Sequence, residues 1–294
     1  NVTVSAGTLR VAGTLTASEL TACTVSTSGT ASTQTYGVSF SVPRVTARDC
    51  AFNGPAAGTV GGSVVQLEDN VQHALFENCS FASVGSATPV SLVNSGVAFT
   101  SPRVIKFVNC IFTNTAAAYT FDIGATTSTV PVSILFENCT FTNSTNGQII
   151  RTAQAALVRV AFTDCVFRQN NTSTADVTRV RATPIAGGET VFTRCRTYVA
   201  QTTSTGSPAN AIIELGGTGG TGAAGRVSAY GFDVVYEGTA SALMAGDNVR
   251  LYQSTTATVE NYFTDVDVNC GGLTITATGG HIVRSTSTGS LAPL

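Results

Sequence analysis

Short runs in which apolar and polar residues alternate recur along the chain, as in Val104-Ile105-Lys106-Phe107 and Val132-Ser133-Ile134-Leu135-Phe136. Period-two alternation marks a strand with one buried face, whereas an amphipathic helix needs apolar residues at i, i+3, i+4 and i+7 over roughly ten or more positions. Turn-forming clusters separate the runs: Gly54-Pro55, Thr88-Pro89, Ser128-Thr129-Val130-Pro131 and Gly187-Gly188. Each is a strand terminator with a mechanism, since Gly supplies unusual backbone angles and Pro removes a ladder donor. Asn1-Val2-Thr3-Val4, Leu9-Arg10-Val11-Ala12 and Leu273-Thr274-Ile275-Thr276 also read as strands. The pattern predicts an all-β chain.

The runs repeat. Phe76-Glu77-Asn78-Cys79-Ser80-Phe81 is followed by Phe107-Val108-Asn109-Cys110-Ile111-Phe112 and by Phe136-Glu137-Asn138-Cys139-Thr140-Phe141. Two drifted copies come next, Phe162-Thr163-Asp164-Cys165-Val166-Phe167 and Phe192-Thr193-Arg194-Cys195-Arg196-Thr197. Upstream, Ala47-Arg48-Asp49-Cys50-Ala51-Phe52 and Leu20-Thr21-Ala22-Cys23-Thr24-Val25 hold the same frame. Successive cysteines from Cys23 to Cys195 lie 27, 29, 31, 29, 26 and 30 residues apart, a period near 29. Downstream the thiol is lost, but Phe263-Thr264-Asp265-Val266 and Ala229-Tyr230-Gly231-Phe232 continue the frame.

Several short strands per repeat, separated by turns, predict a parallel β-solenoid. A step near 29 accommodates a coil of three strands and a longer loop, with equivalent residues of successive coils about 4.8 Å apart. About nine such coils would make a rod about 45 Å long. Within each copy the first Phe and the Cys are expected to point inward, and the second Phe to point inward on the next strand. The Asn or Asp between them is placed at the bend, bonding neighbouring turns. The inward set is then Phe76, Phe107, Phe136, Phe162 and Phe192; Cys23, Cys50, Cys79, Cys110, Cys139, Cys165 and Cys195; and Phe52, Phe81, Phe112, Phe141 and Phe167.

With this repeat the chain resembles the right-handed parallel β-helix, or pectin-lyase-like, superfamily. Its Phe-x-Asn-Cys-x-Phe unit is similar to repeats of secreted and surface proteins, including polymorphic outer-membrane proteins and autotransporter passengers. The resemblance covers residues 20–200, and more loosely 225–270. It implies one right-handed β-helix over residues 1–294: an N-terminal coil at 1–19, regular coils at 20–200, and degenerate coils at 201–294 carrying a Gly-rich loop. It does not single out a function, because lyases, hydrolases, adhesins, phage tailspikes and structural rods share the architecture.

Composition narrows the classes. Charged residues are 11% of the chain, against roughly 25% in ordinary soluble domains. Lys106 is the one lysine, Trp is absent, and the net charge is -2. Without a basic cluster, nucleic-acid binding through counterion release is not expected. No apolar run approaches the roughly 18 residues of a membrane-spanning helix. Beginning at Asn1, the chain reads as a processed protein or a piece of a longer one.

Cysteine chemistry stays open at this point. Stacked inward thiols suit a reduced buried ladder; disulfides between adjacent coils are the alternative, although parallel side-chain vectors disfavour the required dihedral. The close pairing of zinc sites is missing, and Cys270 falls outside the frame. No metal or cofactor site is expected. As for catalysis, Glu77 and Glu137 share a position two coils apart, but Val108 lies between them. Asp49, Asp164 and Asp265 sit where turn bonding accounts for them. The paired Asp motifs and Gly-His-Gly of the polygalacturonase-like branch are absent, and Gly280-His281-Ile282 departs from the latter. Glu68, Asp69 and His73 form the best polar cluster and read as a solvated loop. Gly216 to Gly222 lacks the Lys and helix of a phosphate loop. No catalytic residue is assigned.

N-x-S/T sequons occur at Asn1, Asn78, Asn138, Asn143, Asn170 and Asn171;. Asn143, Asn170 and Asn171 are expected in polar turns and so to be the better acceptors, while Asn78 and Asn138 belong to the repeat. Ser/Thr tracts at 24–35, 202–207 and 285–290 could carry O-linked sugars. Strand-bearing ends without an amphipathic cap suggest end-to-end stacking. The expected function is an extracellular or cell-surface structural protein, a glycosylated subunit of a self-associating filament, fibre or coat. A carbohydrate-binding adhesin or tailspike-like module is the alternative, with a polysaccharide lyase or hydrolase behind it. An adhesin should show a groove lined by tyrosines, with Tyr119, Tyr198, Tyr230, Tyr236 and Tyr262 as candidates. An enzyme should show Asp or Glu with Arg on one face. A filament subunit should show complementary ends and no convergent polar site.

Overall fold

The computed structural model describes residues 2–4, 9–12, 16–27, 36–54, 63–68, 70–83, 88–92, 101–115, 119–126, 130–143, 148–154, 158–169, 180–183, 188–199, 211–215, 226–236, 250–254, 260–269 and 283–285. Every regular element among them is a strand, and every strand pairing is parallel. The strands fall into three lanes that the chain visits in turn. One circuit runs along His73–Glu77, then Ser80–Ser83, then Thr88–Leu92, and the next runs along Arg103–Val108, Ile111–Asn114 and Tyr119–Thr126. Each strand pairs with its counterpart one circuit earlier and one later, so the chain is a parallel β-solenoid. The number of coils in the whole chain depends on segments outside the described residues.

The first and second lanes belong to a sixteen-stranded sheet, and the third lane forms a ten-stranded sheet. First and second lanes become one because they fuse in the later circuits. Glu189–Val199, Arg226–Tyr236 and Glu260–Asn269 each run through both as a single strand.

Register follows the Phe/Cys frame. In the first lane Phe76 pairs with Phe107, Phe107 with Phe136, Phe136 with Phe162 and Phe162 with Phe192. In the second, Phe52, Phe81, Phe112, Phe141 and Phe167 succeed one another. All ten rings are buried. Within each column the rings stack face to face, with centroids 4.8 Å apart for Phe136–Phe162 and 4.6 Å for Phe112–Phe141. Between columns they meet edge to face, as Phe136 does Phe141 at 5.3 Å and 73°. The spacing between coils thus sets the stacking distance, and the lane angle sets the edge contacts favoured by the ring quadrupole.

The drifted copies hold the frame. Cys195 pairs with Phe232, and Phe232 with Val266, so these two residues take the cysteine level in the later circuits. Phe192 is followed at its level by Ala229 and then Phe263.

The third lane departs from simple alternation. Ser63–Leu67 is buried at every position, and Ser39, Gln66 and Thr120 are buried although they alternate with inward Val38, Val65 and Phe121. This lane is covered on both faces at these levels, as parallel strands commonly are. The strand expected at 273–276 and the residues beyond 285 lie outside the described residues.

Candidate functional site

Between the first and second lanes the chain turns on one residue in the left-handed region. Ala22, Asp49, Asn78, Asn109, Asn138, Asp164, Arg194, Gly231 and Asp265 occupy this position, all with φ between 50° and 66°. Asn and Asp tolerate that conformation better than other side chains, and Gly accepts it freely. The kink leaves the backbone ladder intact: the Asn78 N–H donates to the Val108 carbonyl of the next circuit, and the Ser80 N–H to the Cys50 carbonyl of the previous one.

Side chains at the bend form an outer ladder. Asn78 Nδ2 donates to Asp49 Oδ1 at 3.0 Å, Asn109 to Asn78 at 3.1 Å, and Asn138 to Asn109 at 2.8 Å. The run ends at Asp164, which has no N–H to offer. Here Arg194 takes over, donating through Nε and Nη2 to the two Asp164 oxygens, both at 2.8 Å. That fork holds the Asp164 carboxyl below the usual carboxylate range.

One circuit later the bend residue is Gly231, and the outer ladder has no side chain at that level. The gap opens a cleft of about 450 Å³ lined by Asp164, Arg194, Arg196, Tyr198, Gly231 and Asp233 together with the local backbone. Arg196 donates to Asp233 through Nε at 3.0 Å and Nη2 at 2.6 Å. Its Nη1 donates to the Tyr198 hydroxyl at 3.4 Å. The Arg168 guanidinium lies over the Tyr198 ring, 4.2 Å from its centroid. Tyr230 stands exposed on the neighbouring first lane. Two arginines, each braced by a carboxylate from a different circuit, thus converge beside an aromatic ring.

Sequence reasoning placed Asp164 at the bend and Tyr198 among the candidate aromatics, but did not assemble this site. Its signal lay in the drift of the repeat: Arg194 replaces the bend Asn, and the copy at 229–232 puts Gly at the same place. Tyr119, Tyr236 and Tyr262 have side chains outside the described residues. A second grouping was missed as well. Along the third lane the register aligns Asp122, Arg151, Arg181 and Glu214 in one column.

The expected cysteine column is present. Cys50, Cys79, Cys110, Cys139, Cys165 and Cys195 are buried, Cys23 is half-buried, and all seven are free thiols. Each buried thiol from Cys79 onward points at a carbonyl of the preceding circuit, such as Cys110 at Phe76 (3.4 Å) and Cys165 at Phe136 (3.5 Å). Hydrogen bonding along the column, followed by burial, pushes Cys139 up to about 12. Burial foremost raises Cys195. A thiol held protonated is a poor nucleophile and metal ligand. Cys270 lies outside the described residues.

The structure corrects the placement of one sequon, Asn143. Asn143 lies in strand Thr140–Asn143, in register with Asn114, and both side chains are fully buried. The sequon is followed by polar residues and suggested a turn. Strand parity instead turns Asn143 inward beside Phe141, onto a polar inner column with Ser83 and Asn114. Asn78 and Asn138, discounted as repeat residues, face solvent at the bend. Asn1, Asn170 and Asn171 lie outside the described residues.

Several of the remaining carboxylates form ion pairs. Glu77 meets Arg48 at 3.1 Å and Glu137 meets Lys106 at 2.8 Å, with Val108 between them in register. Glu68 accepts from the Ser39 hydroxyl, and its carbonyl accepts from Arg103 at 3.2 Å. His73 opens the next strand facing solvent. Asp69, His281 and the 216–222 loop lie outside the described residues. Among the described residues no group of His, Cys, Asp and Glu could hold a metal ion, and no helix is long and apolar enough to cross a membrane.

Comparison with family models, with curated proteins and with solved structures returns no match to this chain.

Proposed function

We propose that the chain is a structural rod of the cell exterior: a glycosylated β-helix of pectin-lyase-like type that associates end to end into a fibre, filament or coat. The observation that supports this reading is the in-register double column of phenylalanines. In these two columns Phe81, Phe107, Phe112, Phe136, Phe141 and Phe162 are each stacked on both sides. Bending such a rod separates rings packed at near-crystalline density, so the column resists flexure. Few charges leave little electrostatic repulsion between subunits laid together. Right-handed winding belongs to the same proposal, since parallel strand–crossover–strand connections are right-handed in about 98% of cases.

Among the described sequons Asn78 and Asn138 are the acceptors of choice for N-linked sugars, because both residues are exposed at the bend while Asn143 is buried. Intact mass before and after deglycosylation tests that part. Sedimentation and negative-stain imaging across a concentration series test assembly. Rods that lengthen with concentration are expected, and compact monomers throughout overturn the reading.

One observation favours a second reading, a carbohydrate-binding surface module. The cleft at Gly231 joins braced arginines, carboxylates and Tyr198 in one concavity. A plain filament subunit has no need of such convergence.

A further inference from the structure

We propose that the cleft at Gly231 binds a neutral saccharide through a pair of adjacent hydroxyl groups. The inference deepens the carbohydrate-binding reading and rests on it, and is independent of fibre assembly.

Charge balance comes first. Arg194 is neutralised by Asp164, and Arg196 by Asp233. Arg168 covers the Tyr198 ring. One circuit further, Asp265 stands at the bend and Asp267 is in register with Asp233, both exposed. Three arginines therefore face four aspartates. An anionic ligand would have to displace Asp164 or Asp233 from an occupied guanidinium fork and approach two further carboxylates.

A hydroxyl pair meets no such competition. A guanidinium carries five N–H groups and an ionised carboxylate about four acceptor sites. Arg194 commits Nε and one Nη2 hydrogen to Asp164, and its side chain is 63% exposed. The Asp233 side chain is 37% exposed. Donor edges and acceptor lone pairs thus remain on the same walls. A sugar hydroxyl both donates and accepts, so two adjacent ones can satisfy an Arg and an Asp together.

Two of the guanidinium groups, Arg194 and Arg196, are each held by a carboxylate from another circuit. Less side-chain entropy is then lost on binding. Tyr198 lines the cleft and is held in place by Arg168 over its ring and by the Arg196 Nη1 on its hydroxyl.

Gly231 creates the space. A Cβ there would sit 3.7 Å from Arg194 Cα, an ordinary contact, but at φ +66°. Asn holds the same bend position at residues 78, 109 and 138 with φ of 51° to 54°. Gly231→Asn therefore intrudes on the cleft with a side chain that the same bend position carries at residues 78, 109 and 138.

The test is calorimetric titration of the intact chain with neutral gluco-, manno- and galacto-oligosaccharides, and with oligouronates of the same length. Binding to at least one neutral series is expected, weakened at least about tenfold by Gly231→Asn and by Asp233→Asn. Far-ultraviolet circular dichroism and thermal unfolding of the variants should match the parent. Tighter binding to oligouronates overturns the neutral ligand class while leaving a binding module. Neutral binding that Gly231→Asn does not weaken overturns the location. Binding to none of the series overturns both the inference and the binding reading.

Discussion

Phe136 shares with Phe107 and Phe112 the largest set of ring contacts among the described residues. It is fully buried, stacked on Phe107 at 5.0 Å and on Phe162 at 4.8 Å. It meets Phe112, Phe121 and Phe141 edge to face at 6.0, 4.9 and 5.3 Å. Replacing a core Phe by Ala costs about 3–5 kcal/mol, and each aromatic pair adds about 0.5–1.5 kcal/mol beyond burial, not additively. Five ring contacts place Phe136→Ala at the upper end, about 5 kcal/mol, comparable to the whole stability of many domains. Phe40 has one ring contact among the described residues, to Phe76 at 6.2 Å, so Phe40→Ala should cost about 3 kcal/mol. Urea unfolding followed by circular dichroism measures both. Because solenoid coils couple to their neighbours, native-state hydrogen exchange should show protection lost around 103–112 and 158–167 before the ends. A Phe136→Ala loss below about 1.5 kcal/mol, or one no larger than that of Phe40→Ala, would refute the stacked-core argument.

The bend supplies a second prediction. Asn109→Ala removes two hydrogen bonds and adds left-handed strain, while Asn109→Gly removes only the bonds; Ala should be worse by about 1 kcal/mol. Ala22 already carries that strain at φ 51°, so Ala22→Gly should stabilise by up to about 1 kcal/mol. Thermal denaturation of the three variants checks the ranking. The thiols predict a pH dependence. Hydrogen bonding within the column and burial raise Cys79, Cys139 and Cys165, and burial foremost raises Cys195. Unfolded thiols ionise near pH 8.5 while these native ones keep their protons, so the unfolded state binds fewer protons above that pH. Stability contributed by Cys79, Cys139, Cys165 and Cys195 is full below about pH 8 and declines as pH rises above it;. Cys139→Ala should flatten its share of the decline up to about pH 12, its folded value;. Urea titrations at several pH values read this, and a slope unchanged by the substitution would count against the buried column.

Much of the architecture is legible in single residues of the repeat. Phe and Cys alternate with polar neighbours, and Asn stands where only a left-handed bend lets the chain turn at once. Even Val266 and Phe232 could be placed at the cysteine level from the drifted copies. Asn143 misled because a sequon speaks only of local chemistry. Its burial follows from strand parity counted from Phe141. The third lane was illegible for a related reason: Ser39 and Gln66 look like outward polar residues, and only their surroundings bury them.

The sequence by itself determined the solenoid, its period and the composition of its core, because a parallel in-register stack repeats one local environment and so repeats one local pattern. The tertiary structure alone decided what happens between circuits. Arg194 lies 30 residues from Asp164, and Arg196 lies 37 from Asp233. Winding brings each pair to hydrogen-bonding distance, while loops of unequal length hide the register from a linear reading. The cleft exists because winding brings those two pairs together beside a glycine that puts no side chain at the bend.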